Sequence, residues 1–183
     1  MTARKTATCL LAALAAAGLA ACQRETATGP TEVSGRLFVF NYRVAQAHYM
    51  ITLRRTGALP DPAVAIATFE NPRGEEPLVT RSKIFPFWET IVLESPPVQC
   101  IVKDRPYAVE IRIVDGRDTL LQSIETTATS TVDQTVLTAK PLVAGPGYAI
   151  NPDILRTDGT VDYAPTSDCP GKDEAHQESL QKQ

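Results

Sequence analysis

This sequence predicts an all-β fold, an antiparallel β-sandwich preceded by a signal peptide and a tether. Three observations predict it. Short segments rich in β-branched and aromatic residues recur through residues 35–141, turn-forming residues interrupt them about every ten positions, and no long helical period follows residue 21. Strands of this kind bury one face and wet the other, so each is expected to show a period of two.

The elements follow in order. Arg4 and Lys5 precede "TATCLLAALAAAGLAA", and Cys22 follows, with Gln23, Arg24 and Glu25 behind it. A basic start, a short apolar run and a small-residue end are the layout of a signal peptide. The apolar run is about 16 residues, less than the roughly 18 to 20 that a membrane-crossing helix needs. "Leu19-Ala20-Ala21-Cys22" resembles the bacterial lipobox. That resemblance implies cleavage before Cys22, a diacylglycerol on its sulfur and an acyl chain, typically palmitate, on its new amino group. Each buried methylene contributes about 0.8 kcal/mol, so two or three chains hold a protein on a membrane surface while one holds it weakly. The expected lipid partner is therefore the bilayer itself, engaged through Cys22. Gln23, standing where an Asp would favour inner-membrane retention, places the expected location at the outer membrane, facing the periplasm. Cys9 leaves with the leader, residues 1–21.

Residues 22–34 contain "CQRETATGPTE", short of large apolar side chains and carrying Gly29-Pro30, and read as a flexible tether. "RLFVFNYRV" (36–44) is an apolar run that turns polar. "YMITLRR" (49–55) alternates, with Tyr49, Ile51 and Leu53 opposite Thr52 and Arg54. "TGALPDP" (56–62) breaks the pattern, "AVAIATFE" (63–70) resumes it, and "NPRGEEP" (71–77) is a turn by composition. "LVTRSKIF" and "WETIVLE" flank Pro86, which lacks a ladder donor and marks an edge or bulge. "YAVEIRIV" (107–114), then Asp115-Gly116, then "DTLLQSIETT" read as a hairpin. "TVLTA" (135–139) reads as a last short strand. Residues 142–170 are a loop-rich extension, and 171–183 a disordered polar tail.

"LPDPA" (Leu59 to Ala63), Phe85-Pro86-Phe87 and the stretch from Tyr107 to Leu121 resemble the YbaY-like bacterial lipoprotein family, related to the YscW-type chaperones of type III secretion. The resemblance covers about 80 residues of strand and turn positions. It implies an immunoglobulin-like or related sandwich on an envelope lipoprotein, in some relatives a pilotin or chaperone for an outer-membrane secretin. It carries over no catalytic residues. The chain departs from that pattern at Leu121-Gln122, where the family tends to place an aromatic, and in having Cys100 and the long segment ending at Cys169.

Charge and side-chain inventory exclude several functions. The chain has 18 basic and 21 acidic residues, and losing Arg4 and Lys5 takes its formal charge from −3 to −5, which argues against nucleic acid as a partner. Cys100 and Cys169 remain in an oxidising compartment. Three states stay open for them: an internal disulfide, two free thiols, or a bridge to another protein. An internal bridge closes a loop of about 70 residues, worth about 4 kcal/mol by chain entropy. His48 and His176 do not make a zinc set, Gly145-Pro146-Gly147 lacks the rest of a phosphate loop, and Asp153, Asp158, Asp162 and Asp168 do not match a calcium loop. No metal, cofactor or catalytic set is expected. Two binding readings follow. In the first, a non-enzymatic envelope lipoprotein engages another envelope protein, with Trp88 and Pro86 as its docking point if Phe85 and Phe87 fill the core. In the second, a small-ligand or carbohydrate module uses a pocket lined by Tyr49, Trp88 or Tyr107.

Overall fold

A computed structural model describes residues 29–170; the leader, Cys22, the first part of the tether and the tail from 171 lie outside the described residues. Seven strands form two antiparallel sheets: β1 (Thr31–Asn41), β2 (Gln46–Arg55), β3 (Ala63–Phe69), β4 (Leu78–Ile84), β5 (Thr90–Glu94), β6 (Pro106–Asp115) and β7 (Leu120–Thr129). One sheet has the order β1-β2-β5 and the other β4-β3-β6-β7. The chain therefore crosses between sheets after β2, after β4 and after β5. Compared with a constant-type immunoglobulin sandwich, the fourth strand lies beside the third instead of the fifth. A two-stranded ribbon, β8 (Val143–Ala144) with β9 (Ala149–Ile150), lies in the extension.

The alternating patterns become the two inner faces. Ala47, Tyr49, Ile51 and Leu53 of β2, with Ile91 and Leu93 of β5, meet Ala63, Ala65, Ala67 and Phe69 of β3 and Tyr107, Val109, Ile111 and Ile113 of β6. The small alanines of β3 stand beside the bulkier side chains of β6 in the same sheet and share the core with those of β2. One end of the core is aromatic: Tyr49 lies 4.3 Å from Phe38 and 5.2 Å from Phe69, centroid to centroid. The Tyr49 hydroxyl donates to the Glu70 carbonyl at 2.7 Å. Burial, and then the Glu70 charge, push its pKa above the ordinary phenol range.

Tyr107, at the start of β6, ties the corner between the sheets. Its hydroxyl accepts from the Val102 N–H at 2.8 Å and donates to the Cys100 carbonyl at 3.3 Å. The arrangement is like the tyrosine corner described in other β-sandwiches, and it satisfies two backbone groups of the connection that would otherwise be stranded. Tyr107→Phe keeps the ring and removes both bonds. A loss of about 1–3 kcal/mol in unfolding free energy is expected, read from urea denaturation; an unchanged midpoint would show that water replaces the hydroxyl.

Several elements depart from the sequence pattern. β1 begins at Thr31, inside the segment 22–34 read as tether, because Thr31 is fully buried. Its N–H and Oγ1 both donate to Gln122 Oε1, at 3.0 and 2.9 Å, while Gln122 Nε2 donates to the Thr31 carbonyl at 2.8 Å. A bulge between Val33 and Gly35 then resets the register, bringing Phe38 and Phe40 toward the core. The β6–β7 hairpin forms, but Gly116 is not its left-handed residue; Asp118 is, with φ 60°. Asp115 receives the Asp118 N–H on its carbonyl and those of Arg117 and Thr119 on its carboxylate. The Thr119 and Arg117 N–H groups hold that carboxyl below the usual aspartate range. "TVLTA" is no strand: Gln134–Val136 is a short 3-10 turn capped by Asp133. Its Gln134 side chain is buried between two loops, receiving the Cys100 N–H and donating to the Pro165 carbonyl.

Candidate functional site

Two places in the described structure gather the residues singled out from the sequence. The first is the end of the sandwich where the chain enters. The Pro30 carbonyl accepts the N–H groups of Thr56 and Gly57 at 2.9 and 3.1 Å, and the Gly29 carbonyl accepts the Thr56 hydroxyl at 2.9 Å. The same segment holds the connection between β4 and β5. The Arg55 N–H donates to the Glu89 carbonyl at 2.8 Å, and its guanidinium reaches the carbonyls of Pro86 and Gly57.

Phe85-Pro86-Phe87-Trp88 is not strand but a β-turn, closed by the Trp88 N–H on the Phe85 carbonyl at 3.0 Å. Pro86 occupies its second position, where a fixed φ favours the turn. The three rings gather on it, with Phe85–Trp88 centroids at 4.9 Å and Phe85–Phe87 at 5.7 Å. Phe85 and Phe87 do not fill the core. Phe87 is 77% exposed, and Trp88 is the half-buried member. The alternation expected of a continuous strand fails here because the turn interrupts it.

At the opposite end, residues 95–105 and the extension meet. Cys100 and Cys169 lie at disulfide distance, with Cα atoms 5.3 Å apart. The extension is pinned elsewhere too: the Ala139 N–H donates to Asp162, the Ala164 N–H to Leu137 and the Leu142 N–H to Tyr42. Ile154 is buried, and Arg43 stacks on Tyr148 at 4.2 Å. Between the extension and the β1–β2 and β3–β4 turns runs an open groove of about 510 Å³, with Gln46, Asn71, Arg73, Glu75 and Gln99 on its walls. No aromatic side chain lines it.

The aromatic residues expected around a ligand do not converge. Tyr49 and Tyr107 are fully buried and hydrogen-bonded in the core, and Trp88 lies on the turn at the other end. His48 is half-buried in β2, opposite Val39, and His176 lies outside the described residues. Asp162 pairs with Arg156 at 2.8 Å, Asp158 accepts the Thr160 N–H and hydroxyl, and Asp153 lies 3.7 Å from Lys140. Among the described residues, no three His, Cys, Asp or Glu side chains come together as a metal site. No described helix is long and apolar enough to cross a membrane.

Sequence reasoning missed the Thr31–Gln122 and Gln134 clamps, whose polar side chains sit at positions that a hydrophobic pattern scores as breaks. It also missed that the aromatic turn shares an end with the incoming chain. No protein-family model matches this chain, and no curated protein matches it.

Proposed function

We propose that the protein is a non-enzymatic lipoprotein of the bacterial cell envelope, held on the outer membrane by an acylated Cys22, whose sandwich binds another envelope protein. The observation that carries this reading is the lipobox-like "Leu19-Ala20-Ala21-Cys22", which ends only seven residues before Gly29, the first described residue, whose carbonyl accepts the Thr56 hydroxyl. So short a spacer keeps a compact β domain at a membrane surface. The resemblance to YbaY-like lipoproteins points the same way. A pilotin-like or chaperone-like role is the narrower form, and the outer edge of β4 favours it: seven residues long and, among the described residues, unpaired on one side, it offers a ladder to an extended segment of a partner. The small-ligand or carbohydrate module is disfavoured, because the rings it needs are locked in the core or stand apart.

Cys22→Ala tests the anchor. Expressed with its leader in a Gram-negative host, the wild-type chain is expected to give a mature mass beginning at Cys22 plus acyl chains, in the outer-membrane fraction. The variant is expected to lose the acyl mass and leave that fraction. A wild-type product that is soluble and unacylated would overturn the reading. An intact secretin after deletion of the protein would remove the pilotin form alone.

A further inference from the structure

We infer that the Phe85–Trp88 turn is a membrane-contacting tip, whose rings enter the interfacial layer of the bilayer that holds the anchor. This deepens the lipoprotein reading and rests on it. Exposed aromatic rings on a protein surface ordinarily mark a docking point, and the sequence alone leaves a protein as the occupant. The structure adds where the tip stands. Arg55, Thr56 and Gly57 connect it directly to Gly29 and Pro30, so the tip and the incoming chain share one end of the sandwich.

Chain length then fixes what lies opposite. Seven residue steps separate Cys22 from Gly29, and at most about 3.6 Å per residue they span about 25 Å when fully stretched. Strand β6, with ten residues, is itself about 33 Å long. A slack tether is shorter still, so the domain cannot turn over freely, and this end remains the one nearest the lipid. The chemistry fits that neighbour. Tryptophan concentrates at membrane–water interfaces, where its ring is buried and its N–H stays wet. Lys83 lays its ammonium 5.0 Å from the Phe85 ring centroid, placed to reach lipid phosphates while its stem covers the ring. The turn is also preformed: Pro86, the Phe85–Trp88 hydrogen bond and Arg55 hold the rings outward before any contact, so little ordering is needed on insertion.

Trp88 is the only tryptophan in the chain, which makes the test direct. The full chain, purified from membranes and checked for acylation by intact mass, is reconstituted into phosphatidylethanolamine–phosphatidylglycerol vesicles with plain or brominated acyl chains. Brominated lipid is expected to remove the larger part of the Trp88 emission, and the emission in plain vesicles is expected to lie to the blue of that of the unacylated Cys22→Ala protein in buffer. Phe87→Glu, at an exposed position, is expected to keep the wild-type thermal midpoint and acyl mass but to lose the quenching, which an effect of the tether alone would not do. An acylated protein whose Trp88 is not quenched would overturn the tip and leave the lipoprotein reading standing. So would quenching indifferent to Phe87→Glu, or a photo-crosslinker at Phe87 that captures a protein instead of lipid in cells. An unacylated product would overturn both.

Discussion

Replacing Cys100 and Cys169 together by serine is expected to lower the unfolding free energy by about 4 kcal/mol, because the pair closes a loop of 69 residues in sequence separation. Domains of this size have about 5–15 kcal/mol to lose, so the change takes a large share of the stability. It should not act evenly. The sandwich keeps its two-sheet core, whereas the extension keeps hydrogen bonds such as Ala164 to Leu137 and Ala139 to Asp162, the Gln134 clamp and the packing of Ile154. The expected result is a lower urea midpoint together with new protease cleavage between residues 142 and 168. Reducing the wild type should reproduce both. An unchanged midpoint in the double variant would mean that packing of Leu137 and Ile154 alone holds the extension.

Gln122→Ala is expected to cost about 3 kcal/mol. The Gln122 side chain is nearly buried, and it satisfies the N–H, the hydroxyl and the carbonyl of Thr31, which is fully buried. Removing it strands polar groups where water reaches poorly, so the penalty exceeds that of a surface hydrogen bond. A partner variant separates this clamp from general packing loss. A Cβ on Gly29 would fall on the Gln122 side chain, so Gly29→Ala should destabilise the wild type but be nearly neutral in Gln122→Ala. Additive effects in that double-mutant cycle, measured by denaturation, would argue against the clamp.

The sheets were legible where burial is one-sided. In β2, β3 and β6 the inner face holds Ile51, Ala65 or Ile111 while the outer face meets solvent, and a period of two follows directly. Legibility failed wherever the fold is made by single polar side chains. Thr31 and Gln122 look like surface residues, yet they fasten β1 to β7 at the side of the sandwich. Arg36 does the same farther along, donating to Thr126 at 3.0 Å. The extension read only as loop-rich because Gly, Pro and Asp carry no periodicity; Ile154, Leu137 and the backbone bonds to Leu137, Asp162 and Tyr42 give it its course. In the aromatic turn the residue types were noticed, but their facing depended on a β-turn that alternation does not reveal. The anchor rests on linear sequence alone, outside the described residues.

The way β1 is held has a mechanical consequence. The strand begins at the end where the chain enters and runs away from it, paired on both sides of the Val33–Gly35 bulge, from Thr31 opposite Arg55 to Asn41 opposite Gln46. If the N-terminus is fixed and a partner pulls on the far end of the domain, the load runs parallel to β1 and across its hydrogen bonds. These bonds then bear the tension in shear, together, instead of opening one after another like a zip. The Gln122 and Arg36 ties add resistance from the second sheet. A domain built this way transmits tension through its first strand without peeling from its own end.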